Sequence, residues 1–189
     1  HGTIPGLNKK ISKLVIGVDW PSCMPELAIL FDEWIERGGN AFDTAYVYGG
    51  GAMEKLLGQW IKNRGIRDDV VIIAKGAHTP FCNPEDLSNQ LLISLERMQT
   101  NYVDIYFMHR DNPDIPVGEF IDVLNEHVRA GRIKIFRGSN WTLERVEKAN
   151  EYAAKKSLQG FSAISNNFSL ARMVKPPWSG CIQSADKTS

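Results

Sequence analysis

At 189 residues the chain is long enough for one domain with a substantial core, and its 43% hydrophobic and 23% charged residues are ordinary for a globular protein. Its 22 basic residues balance 22 acidic ones, so a formal net charge of zero offers no electrostatic footprint for nucleic acid or an anionic membrane surface. No apolar run approaches the roughly 20 residues of a membrane span, and no signal-peptide pattern opens the chain.

Short β-branched or aromatic runs alternate with longer amphipathic ones. Lys13 to Val18 reads as a first strand. A helix follows from near Pro25, with Leu27, Leu30, Phe31, Trp34 and Ile35 at helical spacing, and Gly38-Gly39 ends it. Ala41 to Ala45 is a second strand, leading to a helix that carries Met53, Leu56, Leu57, Trp60 and Ile61 on one face. Val70 to Ala74 is continuously apolar, as a parallel strand covered on both faces requires. Asn83-Pro84 supplies an N-cap and a first-turn proline for a helix with Leu87, Leu91, Leu95 and Met98 as its buried stripe. Val103 to Met108 is the fourth strand, followed by a helix with Val117, Phe120, Ile121, Leu124 and Val128. Lys134 to Gly138 is the fifth strand, and Thr142 caps a helix through about Lys155. Phe161 to Ser165 reads as a sixth strand, after which the chain is polar and broken by Pro176-Pro177.

This alternation predicts right-handed βαβ units and a parallel sheet, either a doubly wound open sheet or a barrel. The polar residues favour the barrel. Asp19 follows the first strand, and Asp43 and Tyr48 follow the second. Lys75, His109, Ser139-Asn140 and Ser165-Asn166-Asn167 follow strands three to six. In a (β/α)-barrel all these ends surround one pocket, whereas an open sheet gathers ligands at a single switch point. Cys23, Cys82 and Cys181 are odd in number and far apart, which argues against a disulfide framework and points to a reducing cytoplasm. His78, His127 and the cysteines lack metal-ligand spacing, so no metal is expected. Gly49-Gly50-Gly51 precedes a helix, but Glu54 stands where a dinucleotide fingerprint needs its third glycine; these glycines read instead as a tight turn beside Tyr48.

Residues Phe42 to Gly49 (FDTAYVYG), Ile73-Ala74-Lys75, Asp104 to His109 (DIYFMH) and Gly138-Ser139-Asn140-Trp141 resemble, in order and spacing, four motifs of the aldo-keto reductase family. The resemblance runs from about Ile11 to Leu170 and implies a (β/α)8 barrel of TIM type. About six of its eight βα units are legible, so we expect a single barrel domain over 1–189, incomplete at its C-terminus, and the His1 start leads us to expect residues upstream. Strands one and six would then be open edges, an aggregation hazard unless another chain covers them in an oligomer.

The resemblance also implies chemistry. Tyr48 is implied as the general acid that protonates a carbonyl oxygen while hydride arrives from NADPH. A free phenol ionises near pH 10 and a nearby ammonium favours the phenolate, which is the role implied for Lys75, with Asp43 holding the lysine in place. His109 is implied to orient the substrate oxygen. Ser139 and Asn140 are implied to hold the nicotinamide carboxamide, joined by Ser165 or Asn166 where the family usually places Gln. Trp20 and Trp141 are expected either to line an apolar pocket for a small carbonyl substrate or to cover the barrel top. The family includes cofactor-sensing, non-catalytic subunits of membrane channels as well as enzymes, so a regulatory subunit and an inactive fragment are the alternative readings.

Overall fold

The computed structural model describes residues 1–19, 23–168, 170 and 173–184. Five parallel strands, β1 (Ile16–Gly17), β2 (Ala41–Asp43), β3 (Val71–Gly76), β4 (Val103–Met108) and β5 (Ile133–Gly138), form one sheet in the order of the chain. Sequential order without reversal is the barrel arrangement; a doubly wound sheet would place its first strand in the middle. The connecting helices are α1 (Met24–Glu36), α2 (Ala52–Arg64), α3 (Pro84–Arg97) and α4 (Val117–Arg129), and α5 (Leu143–Lys155) follows β5. The five βα units correspond to part of a (β/α)8 barrel.

Strand alternation sorts the core into two layers. On the helix side, Phe42, Ile72, Tyr106 and Phe136 pack against Phe31, Leu57, Trp60, Leu87, Leu91, Phe120 and Leu124. On the concave side, Ala41, Val71, Ile73, Ile105 and Ile135 form a second cluster. The first twelve residues close its lower end: Gly2 pairs antiparallel with Ile11, and Ile4 and Leu7 rest on the inner cluster. Sequence periodicity gave no hint of this plug.

The helix caps follow local chemistry. Asn83 accepts a hydrogen bond from the Asp86 amide at 2.8 Å, and Thr142 accepts one from the Arg145 amide. Gly38, at φ 86°, takes the left-handed position that ends α1.

Two strands are shorter than periodicity predicts. β1 is only Ile16–Gly17, because Ser12 and Asn40 exchange backbone-to-side-chain bonds (2.8 and 3.2 Å) and the Ser12 hydroxyl donates to the Leu14 carbonyl at 2.7 Å. These bonds draw residues 12–14 away from the ladder. The sixth strand is reduced to one parallel bridge between Ile164 and Gly138. The Asn150 carboxamide bonds both the amide (2.7 Å) and the carbonyl (2.9 Å) of Phe161, so the one N–H of that residue is taken before a sheet can use it.

Candidate active site

The inward positions at the C-terminal strand ends carry the polar residues. Asp43 ends β2 and Lys75 sits on β3, one inward step beyond Ile73. The His109 amide continues the ladder to the Gly76 carbonyl at 2.7 Å, the Ser139 amide to Met108 at 2.8 Å, and the Ser165 amide to Gly138 at 2.8 Å. Tyr48 is delivered by the turn Tyr48–Gly51, in which Gly49, Gly50 and Gly51 all have positive φ (55°, 62° and 93°). Three successive left-handed residues are open only to glycine without strain, so the glycine run shapes the turn that presents the phenol.

These side chains line one cavity of about 440 Å³, together with Asp19, His78, Arg110, Asn140, Asn166, Asn167 and Trp178. Lys75 is buried, at 6% exposure, and donates to the Asp43 carboxylate, to the Thr44 carbonyl (3.3 Å) and to the Tyr48 hydroxyl (3.3 Å). One ammonium therefore joins the carboxylate to the phenol. Burial pushes the Asp43 carboxyl up, against the opposing pull of the Lys75 charge, and nearby Asp19 adds to the rise.

The His109 ring lies edge-on to Tyr48 (centroids 5.9 Å) and to His78 (4.8 Å). Burial, reinforced by the charges of Lys75, His78 and Arg110, pushes its pKa down to about 3, so the imidazole is neutral at physiological pH. Among the described residues neither ring nitrogen has a hydrogen-bond partner, and Nδ1 is buried. A neutral imidazole carries one N–H, here free to meet a ligand oxygen.

On the β5 side, the Ser139 hydroxyl donates to the Ser165 carbonyl at 2.9 Å and accepts from the Asn140 amide nitrogen at 3.1 Å. Asn140 has a positive φ of 56°, which its short polar side chain tolerates, and its Oδ1 accepts from the Ile182 amide at 3.1 Å. Asn166 donates to the Trp141 carbonyl at 2.9 Å, while its Oδ1 is buried and has no partner among the described residues.

Trp141 does not line the cavity. Its side chain is fully buried between Phe120 and Phe161, with Nε1 donating to the Arg110 carbonyl at 3.2 Å. It is a core residue beneath the site, and of the two expectations for it the pocket lining is corrected. Trp20 lies outside the described residues. Asp104 is also structural: strand alternation sets it on the helix side with Tyr106, at the other end of β4 from His109. It accepts there from Arg67 Nη2 and the Ile72 amide, both at 2.9 Å, and pairs with Lys9 at 3.1 Å. Sequence reasoning missed Arg110 and gave His78 no role, although both follow strand ends whose neighbours were assigned. Among the described residues no group of His, Cys, Asp or Glu is arranged to hold a metal ion, and no helix is long and apolar enough to cross a membrane.

A parallel sheet in barrel order, with one lysine joining a carboxylate and a phenol at its C-terminal rim, defines a (β/α)-barrel protein. The aldo/keto reductase family model matches residues 17–181, and the chain belongs to that family. It is 30% identical over 185 residues to the norsolorinic acid reductase stcV of Emericella nidulans, covering 86% of this chain and 48% of the relative. It is likewise 30% identical over 132 residues to the aldo-keto reductase YhdN of Bacillus subtilis, covering 66% of this chain and 40% of that protein. The crystal structure of a thermostable aldo-keto reductase in complex with the inhibitor epalrestat matches with a TM-score of 0.67 at 32% identity, over 77% of this chain and 55% of that one. The chain thus spans less than half the length of these curated relatives.

Proposed function

We propose that this site reduces an aldehyde or ketone to the alcohol by hydride transfer from NADPH, with Tyr48 as the general acid. The observation that carries the reading is the Lys75 ammonium bonded to both Asp43 and Tyr48 beside a neutral His109. NADPH, when bound, supplies the hydride that reduces the carbonyl carbon, leaving NADP+. The proton comes from the chain: the Tyr48 Oη–H bond breaks as the carbonyl oxygen takes its proton. Lys75 Nζ, 3.3 Å away, stabilises the phenolate left behind. Asp43 fixes the lysine, and the His109 N–H holds the substrate oxygen as negative charge develops on it.

The residues present fit the nicotinamide end of the cofactor. Asn166 Oδ1 is a buried acceptor with no donor among the described residues, and the amino group of a carboxamide would satisfy it. Ser139, Asn140 and Ser165 stand beside it on the same cavity wall. The test is NADPH oxidation with a generic aromatic aldehyde by the parent chain and by Tyr48→Phe. The phenylalanine variant should lose turnover by orders of magnitude while NADPH binding changes little, because only the proton donor is removed. Equal turnover in the two proteins overturns the assignment.

A further inference from the structure

Arg110 is an arginine on the wall of the cavity that holds Tyr48, and among the described residues it has no carboxylate to neutralise it. The residue is 8% exposed and lines the same cavity as Tyr48, Lys75 and His109. Among the described residues its guanidinium makes one hydrogen bond, from Nη1 to the His109 carbonyl at 2.7 Å, and no ion pair. A guanidinium offers five N–H donors, so four are left for something else. Its neighbour Asp111 is already held by a two-pronged pair with Arg145 at 2.7 and 2.8 Å. Asp43 is held by Lys75, and Asp19, the other acid on the cavity wall, is solvent-exposed and forms no ion pair with Arg110.

A buried, uncompensated cation is costly, and arginines in such positions are ordinarily paired. This one is also held in place: the Trp141 indole donates to its carbonyl at 3.2 Å and the Cys82 thiol at 3.3 Å. The strand end on which it sits carries His109, so guanidinium and imidazole share one cavity. Burial alone pushes the guanidinium's pKa down, which an arriving anion would reverse.

We propose that Arg110 is a specificity-determining residue that receives a carboxylate on the substrate, so that the site takes carbonyl compounds carrying an anionic group, with the carbonyl oxygen on Tyr48 and His109 and the acid on Arg110. This rests on the carbonyl-reduction reading and narrows its substrate class. A carboxylate presents two oxygens to the planar fork of a guanidinium, which makes the pairing selective as well as strong.

The experiment compares kcat/KM for meta- and para-carboxybenzaldehyde with that for the matching formylbenzamides, which differ in charge and little in size. The parent chain should favour the acid over the amide by about tenfold or more for at least one isomer. In Arg110→Met that ratio should fall to about one, and Arg110→Lys, a point charge without the fork, should fall between. Because each ratio is taken within one protein, a general loss of activity cancels. A parent ratio of one or less for both isomers, or a ratio unchanged in Arg110→Met, overturns the proposal. So does an Arg110→Met defect confined to NADPH affinity, which would assign the cation to the cofactor's phosphates. Calorimetric binding of para-toluate against para-toluamide supplies a readout independent of turnover. If the chain reduces no aldehyde, the carbonyl-reduction reading fails by itself, and toluate binding lost in Arg110→Met still supports a carboxylate receptor. Equal binding of acid and amide rejects it.

Discussion

The turn that presents Tyr48 depends on Gly51, and replacing that residue separates two kinds of cost. A Cβ on Gly51 would stand 2.3 Å from Arg97 Cζ and 2.6 Å from its Nε and Nη1, inside contact distance of the whole guanidinium. That guanidinium donates to the Tyr46 carbonyl and to the fully buried Glu54 carboxylate, both at 2.9 Å, and lies 4.4 Å from the centre of the Tyr46 ring. Arg97 would make room by swinging its guanidinium away from Glu54, its charge partner. Breaking a buried pair in this way costs about 3–5 kcal/mol. Alanine at the φ of 93° found here adds about 1–2 kcal/mol. Gly50 provides the control: it has a φ of 62° but nothing within 4 Å of an added Cβ, so Gly50→Ala bears only the conformational cost. Urea unfolding followed by tryptophan fluorescence should place Gly51→Ala about 3–5 kcal/mol below Gly50→Ala. A difference under about 1 kcal/mol would refute the claim that Arg97 and Glu54 brace this turn.

Asp104→Asn should destabilise the chain by about 3–5 kcal/mol, since Arg67 and Lys9 would stay largely buried and lose the one anionic partner they have among the described residues; the shift in urea midpoint measures it. Stability should also fall on acidification. The folded pKa of His109 is about 3 against 6.5 when unfolded, so between those values the unfolded chain binds the extra proton. His109 therefore contributes a loss of up to about 1.4 kcal/mol per pH unit as pH falls through that window, and none above it. His127, whose pKa is also lowered by burial, acts in the same direction. Unfolding curves from pH 7 to pH 4 should be less steeply pH-dependent in His109→Gln, and an unchanged slope would contradict the burial of a neutral ring.

The long strands were legible because β3, β4 and β5 are each rich in β-branched and aromatic residues, a pattern set by local composition. The ends of the sheet were not. β1 is shortened by Ser12 and Asn40, 28 residues apart, and the sixth strand by Asn150 reaching Phe161; neither contact leaves a periodic trace. At the site, the order of strand-end residues brought Asp43, Tyr48, Lys75 and His109 to one cavity, because a parallel barrel sends every such end to the same rim. Adjacency to the rim misled for Trp141, where a large aromatic one residue past Asn140 turns down into the core. Arg110 escaped notice for the converse reason. A basic residue after a strand looks like ordinary loop, and only the absence of an ion pair among the described residues makes it informative.

NADPH deuterated at the nicotinamide carbon that gives up hydride follows the transfer itself. An aromatic aldehyde is incubated with the parent chain and with Tyr48→Phe, and the alcohol is analysed by mass spectrometry. One deuterium on the carbinol carbon is expected with the parent, and labelled alcohol reduced by orders of magnitude with Tyr48→Phe. Labelled alcohol formed equally by both proteins, or NADPH consumed without deuterium in the product, would contradict it.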